Sequence, residues 1–456
     1  VASPKPRFQC RDCGATLPQW AGRCPDCGNW NTLEETLAAP AAARGRRQAA
    51  GAGRILSLKD LATAEEPRQT TGIGELDRVL GGGLVPGSAI LIGGDPGIGK
   101  STLLLQALAA LDAAGVASLY VTGEESAGQV ASRARRLGLK PGGLRLLADN
   151  DLERLLAAAE RERPAVLIVD SIQTLSSDSL SAAPGTATQL RECAGQCVRL
   201  AKRAGMAVFL VGHVTKEGVL AGPRLLEHMV DTVLYFEGDG GSRHRLLRAV
   251  KNRYGAANEL GVFAMTDRGL RPVDNPSALF LSGAPGESPG SVVMITRQGN
   301  RPLLVEVQAL VDDCHTASPR RLALGLFQHR LDMLLAVLHR HGGVAAGSRD
   351  VFVNVVGGIR IGETAADLPI LLAVASSLAE RQLPRDLAAF GEIGLAGEIR
   401  PVPGGPERLR EAVKHGFRRA IVPEANRPRG RMPGITAIPA ARLAEALSLL
   451  RAEAPP

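Results

Sequence analysis

From Ile55 onward, short apolar runs alternate with stretches able to form helices. The runs Ser88–Gly93, Ala117–Thr122, Ala165–Asp170 and Ala207–Val211 are each separated from the next by such a stretch. That alternation predicts a mostly parallel sheet with helices on both faces. Near Asp274 to Gly290 the pattern gives way to the Pro/Gly/Ser-rich text DNPSALFLSGAPGESPG, which marks a boundary. Beyond it the pattern predicts strands at Val292–Thr296 and Leu303–Val311, a helix through Leu322–Leu338, a strand at Val351–Val356 and further βα units. The N-terminal segment differs. Residues 1–32 form a small Cys-rich module, and residues 33–54 (LEETLAAPAAARGRRQAAGAGR) lack hydrophobic periodicity and read as a flexible linker. The expected layout is therefore a module at 1–32, a linker at 33–54, one α/β domain at 55–275 and a second at 285–456. The only internal echo is FQCRDCGA against GRCPDCGN.

Composition refines this picture modestly. A chain of 456 residues is too long for one core, and with 3% aromatics its interior must be built from Leu, Val, Ile and Ala. A net charge of +8 is compatible with a polyanionic partner. The opening VASPKPRFQC lacks a signal-peptide core, and the longest apolar stretch, Leu368–Leu378, is too short and too interrupted to span a bilayer. The chain is expected in the cytoplasm, away from membranes. Four of its seven cysteines fall within the first 27 residues, where a reducing compartment argues against disulfides.

Those four, Cys10, Cys13, Cys24 and Cys27, make two CxxCG knuckles. Each pair sets two thiolates on one tight turn, and two turns complete a tetrahedral four-sulfur site for structural Zn²⁺. A redox pair, unliganded thiols or an iron site are the alternatives. Cys193 and Cys197 lie one helical turn apart and read as packed thiols, with a metal site including His213 or His228 as the alternative. Cys314-His315 lacks a second ligand pair.

Gly94-Asp95-Pro96-Gly97-Ile98-Gly99-Lys100-Ser101 fits G-x-x-x-x-G-K-[ST] in full, follows an apolar strand and opens a helix that continues through Thr102. Main-chain N–H groups there can wrap the phosphates of ATP or ADP. Lys100 would neutralise the β- and γ-phosphates and Ser101 would give its hydroxyl to Mg²⁺. Asp170 ends the strand Val166-Leu-Ile-Val and is expected to hold the Mg²⁺ shell, with Ser171 and Gln173 in the loop that follows. Glu124 is the first choice for polarising the attacking water, with Glu125 as alternate. The strand Val208–Gly212 delivers His213 and Thr215, which could sense the nucleotide and inform the loop Lys216 to His228. A histidine at a strand end is as often structural.

Several RecA-like groups share these features, DnaB-type helicases and KaiC-type proteins among them. Lys251-Asn252-Arg253-Tyr254-Gly255 follows the predicted strand Leu246–Val250 and resembles the KNRFG motif of the RadA (Sms) family of bacterial DNA repair proteins, with Tyr254 in place of Phe. With the CxxCG pairs, the lead-in TTGIGELDRVLGGGLVPGS and GDPGIGKST, the chain is similar to that family over essentially its whole length. The resemblance implies a RecA-like P-loop ATPase core behind a zinc module, assembled as a hexameric ring with ATP between subunits. Lys251 and Arg253 would then reach the neighbour's γ-phosphate. It also implies translocation on single-stranded and branched DNA, and branch migration of strand-exchange intermediates made by RecA.

From about residue 285, VFVNVVGGIRIGETAADLPI and FGEIGLAGEIRPVPGGPERLREAVKHGFRRAIVPEAN resemble the Lon protease domain. The alignment puts Ala365 at or beside the nucleophilic serine and Arg408 at the lysine. Alanine has no nucleophilic atom, and a guanidinium stays protonated. The domain therefore reads as an inactive α/β scaffold, with Arg349, Arg360, Arg400, Arg408 and Arg410 as candidates for a basic DNA-facing surface. Two alternatives remain: an ATP-dependent peptidase, and a KaiC-like signalling ATPase that does not act on DNA.

Overall fold

The computed structural model describes residues 7–17, 19–36, 67–140, 142–213, 225–237, 243–281, 288–316 and 318–452. The expected linker beyond residue 36, Thr215 and most of the loop that follows it lie outside the described residues. The chain divides into two units, Val1–Pro272 and Val273–Pro456.

The first unit begins with a three-stranded antiparallel ribbon in which β1 (Arg7–Cys10) lies between β2 (Thr16–Leu17) and β3 (Leu33–Thr36). Strand β3 corrects the expected end of the module at residue 32. It pairs with β1 from Cys10↔Leu33 to Arg7↔Thr36, and Leu33 is buried beside Cys10 and Cys24. The run LEET resembles linker because a strand over so small a core needs few apolar side chains. Trp20 and Trp30 stand 58% and 70% exposed on the ribbon, both within van der Waals reach of a side chain placed at Gly22. The Arg23 guanidinium lies 6.0 Å from the Trp30 ring centre.

The rest of this unit is a nine-stranded sheet, counted over the described residues. Its elements are α1 (Gly74–Val79), β4 (Ala89–Gly93), α2 (Lys100–Ala113), β5 (Ser118–Thr122), α3 (Ala127–Arg136), β6 (Arg145–Ala148) and α4 (Leu152–Glu162). There follow β7 (Val166–Asp170), α5 (Ala187–Ala204), β8 (Ala207–Val211), β9 (Thr232–Glu237), β10 (His244–Asn252), β11 (Leu260–Thr266) and β12 (Gly269–Pro272). Strands run parallel in the order β9-β4-β8-β7-β5-β6, and β10, β11 and β12 extend the β9 edge antiparallel.

Strands β4, β5, β7 and β8 are buried at every residue, as strands covered on both faces must be. Alternate side chains feed two cores. Ile90, Ile92, Tyr120, Ile168 and Phe209 pack with α1, α2 and α3, while Leu91, Leu119, Val121, Leu167 and Val208 pack with α4 and α5. Cys193 and Cys197 belong to the second core, where burial pushes both thiols up to about 12. They are packing groups.

The second unit holds a seven-stranded mixed sheet. Its strand order is Arg321–Leu324, Arg349–Val355, Arg301–Asp313, Ser291–Gln298, Leu387–Ala389, Arg419–Pro423 and Thr436–Ala440. The expected helix through Leu322–Leu338 is corrected here. Its first part is the strand Arg321–Leu324, and the helix runs Gln328–Gly342. Gly325, at φ +80°, breaks the chain between them, and the strand's side chains alternate half-buried and exposed as an edge strand's do. The apolar run 368–378 is the helix Asp367–Leu378, buried over most of its length. No described helix is long and apolar enough to cross a membrane.

Arg408 corrects the expected basic surface. Its side chain is fully buried, and its guanidinium donates to both Glu363 carboxylate oxygens (2.9 and 2.7 Å) and to the carbonyls of Ile295 and Pro403. Ala365 is buried nearby in the same apolar cluster that holds Phe390, whose ring lies 5.6 Å from the guanidinium. Arg349, Arg400 and Arg410 are ion-paired with Asp313, Glu398 and Glu407, whereas Arg360 is exposed. Thr296 Oγ1 and the Arg297 N–H also donate to Glu363, so this carboxylate ties its own segment to two others. Replacing Glu363 by Ala strands a buried cation and should cost roughly 3–5 kcal/mol. Denaturant titration of Glu363→Ala should show that loss, and Glu363→Ala with Arg408→Met should recover much of it.

Candidate functional site

Strand β4 delivers the chain to a glycine-rich turn whose shape only glycine permits. Gly94, Gly97 and Gly99 have φ of +147°, +76° and +118°. A Cβ on Gly94 would meet Phe236 at 2.9 Å, and one on Gly99 would meet Leu270 at 3.0 Å and Met265 at 3.1 Å. Strand β9 and the antiparallel strands β11 and β12 thus press on the loop, and Arg245 of β10 reaches the Ile98 carbonyl at 3.3 Å. Helix α2 opens at Lys100 with no side-chain cap, so its first N–H groups face the loop. Ser101 and Thr102 sit half-buried in its first turn. Lys100 Nζ donates to the carbonyls of Gly94 (2.7 Å) and Asp95 (2.9 Å). Burial lowers its pKa to about 8, against the pull of Asp170, Glu124 and Asp95.

The neighbouring strands supply carboxylates. Thr122 of β5 is in register with Asp170 of β7, so the two strand ends are level. Tyr120 Oη donates to Asp170 Oδ2 at 2.5 Å, and burial with that carboxylate pushes the phenol's pKa upward. Glu124 lies in the turn after β5. His213 Nε2 donates to its Oε1 at 3.2 Å and Ser171 Oγ donates to the same oxygen, and these bonds with nearby Lys100 hold the carboxyl down at about 2. Glu125 points elsewhere and is ion-paired with Arg133. The structure therefore gathers Lys100, Asp170 and Glu124 and sets Glu125 aside. Tyr120 and Arg245 were missed in the sequence because neither belongs to a motif. Their contacts are made between segments distant in the chain, Tyr120 to Asp170 and Arg245 to the Ile98 carbonyl.

The KNRYG segment occupies the opposite end of the sheet. Lys251 and Asn252 belong to β10 itself, two residues beyond the expected strand end, and pair with Val233 and Thr232. Thr232 lies against Ile90 at the start of β4, whereas Tyr235 lies against Gly93 at its end. Lys251 Nζ donates to the carbonyls of Glu227 (2.7 Å) and Val230 (2.8 Å). Arg253 pairs with Asp231 at 3.3 Å, and Asp231 also accepts from Lys202 (2.6 Å) and the Ala89 N–H (3.0 Å). Burial works against the Asp231 charge, but these donors hold its carboxyl below the usual range.

In the ribbon the four cysteine sulfurs lie within 4.8 Å of one another. Gly14 and Gly28, at φ +75° and +76°, close the two knuckles through N–H bonds to Cys10 and Cys24 carbonyls, each 2.9 Å. Among the described residues this is the one cluster with metal-ligand geometry, and four converging thiols fit zinc.

Similarity to known proteins agrees with this arrangement. Residues 8–35 match the rubredoxin metal binding domain, residues 57–219 an AAA domain and residues 332–426 subunit ChlI of Mg-chelatase. DNA repair protein RadA of Pseudomonas aeruginosa is 59% identical over 99% of this chain and 100% of its own length. The RadA protein of Escherichia coli is 54% identical over 98% of each chain, and that of Bacillus subtilis 45% identical over 98% of this chain and 99% of its own. The chain belongs to the RadA family. It accordingly combines an AAA-type ATPase domain, a zinc-binding ribbon and a C-terminal α/β domain of the Lon and ChlI kind. Purified protein should carry a single zinc per chain, measured by metal analysis. Cys24→Ala should lose that zinc and expose residues 7–36 to protease, because the ribbon's apolar core is too small to fold unaided.

Proposed function

We propose that this chain is a DNA-dependent ATPase that drives branch migration in recombinational repair, working as a hexameric ring on single-stranded and branched DNA. The observation that carries the ring is the position of the KNRYG segment. It lies one strand length, roughly 10 Å of extended backbone, from the loop that cradles phosphate at the other end of β4. That separation from their own chain's phosphate loop supports a role for Lys251 and Arg253 at a neighbour's nucleotide. In that assembly they stabilise the γ-phosphoryl charge in trans, as arginine fingers do.

Within one chain the geometry above supports the following roles. Residues 94–102 hold the ATP phosphates, with Lys100 neutralising the β- and γ-oxygens. Ser101 and Asp170 would hold Mg²⁺, which would supply charge neutralisation to the phosphates. Glu124 takes the proton of the attacking water, and Glu125 is the fallback choice. The relatives' name, DNA repair protein RadA, supports DNA as the partner, as does the net charge of +8. RecA is the proposed protein partner, through the strand-exchange intermediates it makes. The C-terminal unit is read as an assembly scaffold, with no peptidase role, because Ala365 has no nucleophile and Arg408 is spent on Glu363.

ATP hydrolysis measured with and without single-stranded DNA should show clear stimulation that Lys100→Ala abolishes. Mixing Lys100→Ala with Arg253→Ala protein should restore part of the activity, since mixed rings contain interfaces with both an intact loop and an intact finger. A rate indifferent to DNA would favour the KaiC-like reading, and a mixture as inactive as its parts would place Arg253 in its own chain's site.

A further inference from the structure

Glu124 is held in an unusual way for a group that must meet a water molecule. Both of its hydrogen-bond donors, Ser171 Oγ and His213 Nε2, converge on one oxygen, Oε1. Among the described residues its Oε2 has no hydrogen-bond partner. A carboxylate has no proton to give, so Nε2 of the imidazole carries it.

The two donors come from adjacent parallel strands, and hydrogen bonds hold the backbone that carries each of them. Ser171 follows β7 and His213 follows β8. The Ile172 N–H bonds the Val211 carbonyl at 2.9 Å, and the Gly212 N–H bonds that of Ile92 at 2.9 Å. Gln173 Nε2 then donates to the His213 carbonyl at 3.2 Å. The turn that carries Glu124 is anchored to the same place. The Gly123 N–H bonds the Asp170 carbonyl at 3.0 Å, and a Cβ on Gly123 would lie 2.2 Å from Thr174 Oγ1. Glutamate has rotatable bonds to spare, and every wrong rotamer removes the base from the line of attack.

We infer that Ser171 and His213 are positioning residues that grip Glu124 by Oε1 and present Oε2 to the attacking water. The inference rests on Glu124 being the base. It has an internal cost, because the same donors make the carboxylate a weaker base. Two effects of opposite sign therefore compete when a donor is removed. Basicity rises, which alone would speed proton transfer, while alignment is lost, which slows it. Misplacement by about 1 Å costs on the order of 100-fold, more than a modest gain in basicity returns. Position wins.

The test is steady-state ATP hydrolysis on assembled, zinc-loaded full-length protein, with a fluorescent ATP analogue to report binding. His213→Ala should lower kcat roughly 10- to 100-fold while leaving KM and analogue affinity within about twofold. Ser171→Ala should act in the same direction. His213→Gln, whose amide can still donate to Oε1, should recover most of the lost kcat. In His213→Ala the acidic limb of the pH–kcat profile should also move to higher pH, since a carboxylate stripped of a donor protonates more readily. A merely structural histidine would move neither the limb nor the Gln rescue. An unchanged or raised kcat in His213→Ala, or a loss of analogue binding in step with kcat, would overturn the clamp. Glu124→Gln separates the two levels. If it still hydrolyses ATP, the base assignment itself falls. If it is inactive while His213→Ala turns over normally, only the clamp falls.

Discussion

Everything at the nucleotide end depends on one constraint: adjacent parallel strands in register finish level with one another. Gly93 leads into the phosphate loop, Thr122 stands opposite Asp170, and Val211 leads to His213. Because each strand is buried on both faces, none can slip by a residue without turning its core side chains the wrong way. The two apolar cores therefore fix the chemistry above them. A lysine, an aspartate and a glutamate separated by dozens of residues in sequence are brought together by strand register, and the loops add only the last few ångströms.

The parallel core was readable in the sequence because buried strands announce themselves as unbroken apolar runs, and the phosphate loop because its glycines are required by backbone shape. The zinc knuckles were equally legible, since a thiol pair with a following glycine is a local device. What the sequence concealed is everything set by pairing between distant segments. Arg408 looked like surface charge because charge usually is. Its burial depends on Glu363, 45 residues earlier in the chain. Strand Arg321–Leu324 looked helical because its residues adjoin a true helix, and only Gly325 marks the break. Residues Leu33 to Thr36 looked like linker because the ribbon asks so little of its third strand.

The same logic explains why Glu124 and Glu125 could not be separated beforehand. They are neighbours in one acidic turn, chemically identical, and their difference lies in what faces them. Glu124 meets Ser171 and His213 from two other strands, and Glu125 meets Arg133 of the following helix. The antiparallel strands β10 to β12 act in a similar hidden way. They lie outside the phosphate loop, yet Leu270, Met265 and Arg245 back that loop, and β10 runs into the KNRYG segment.

The ribbon has an optical consequence. It holds both tryptophans of the chain, and both indoles stand largely in solvent. Emission excited at the red edge of indole absorption therefore originates from this small module and not from either of the two large sheets. ATP turnover is dark in that channel unless it moves the ribbon, and a partner that settles on the ribbon shifts the entire signal. The protein carries its own reporter for a part whose task the nucleotide site does not explain.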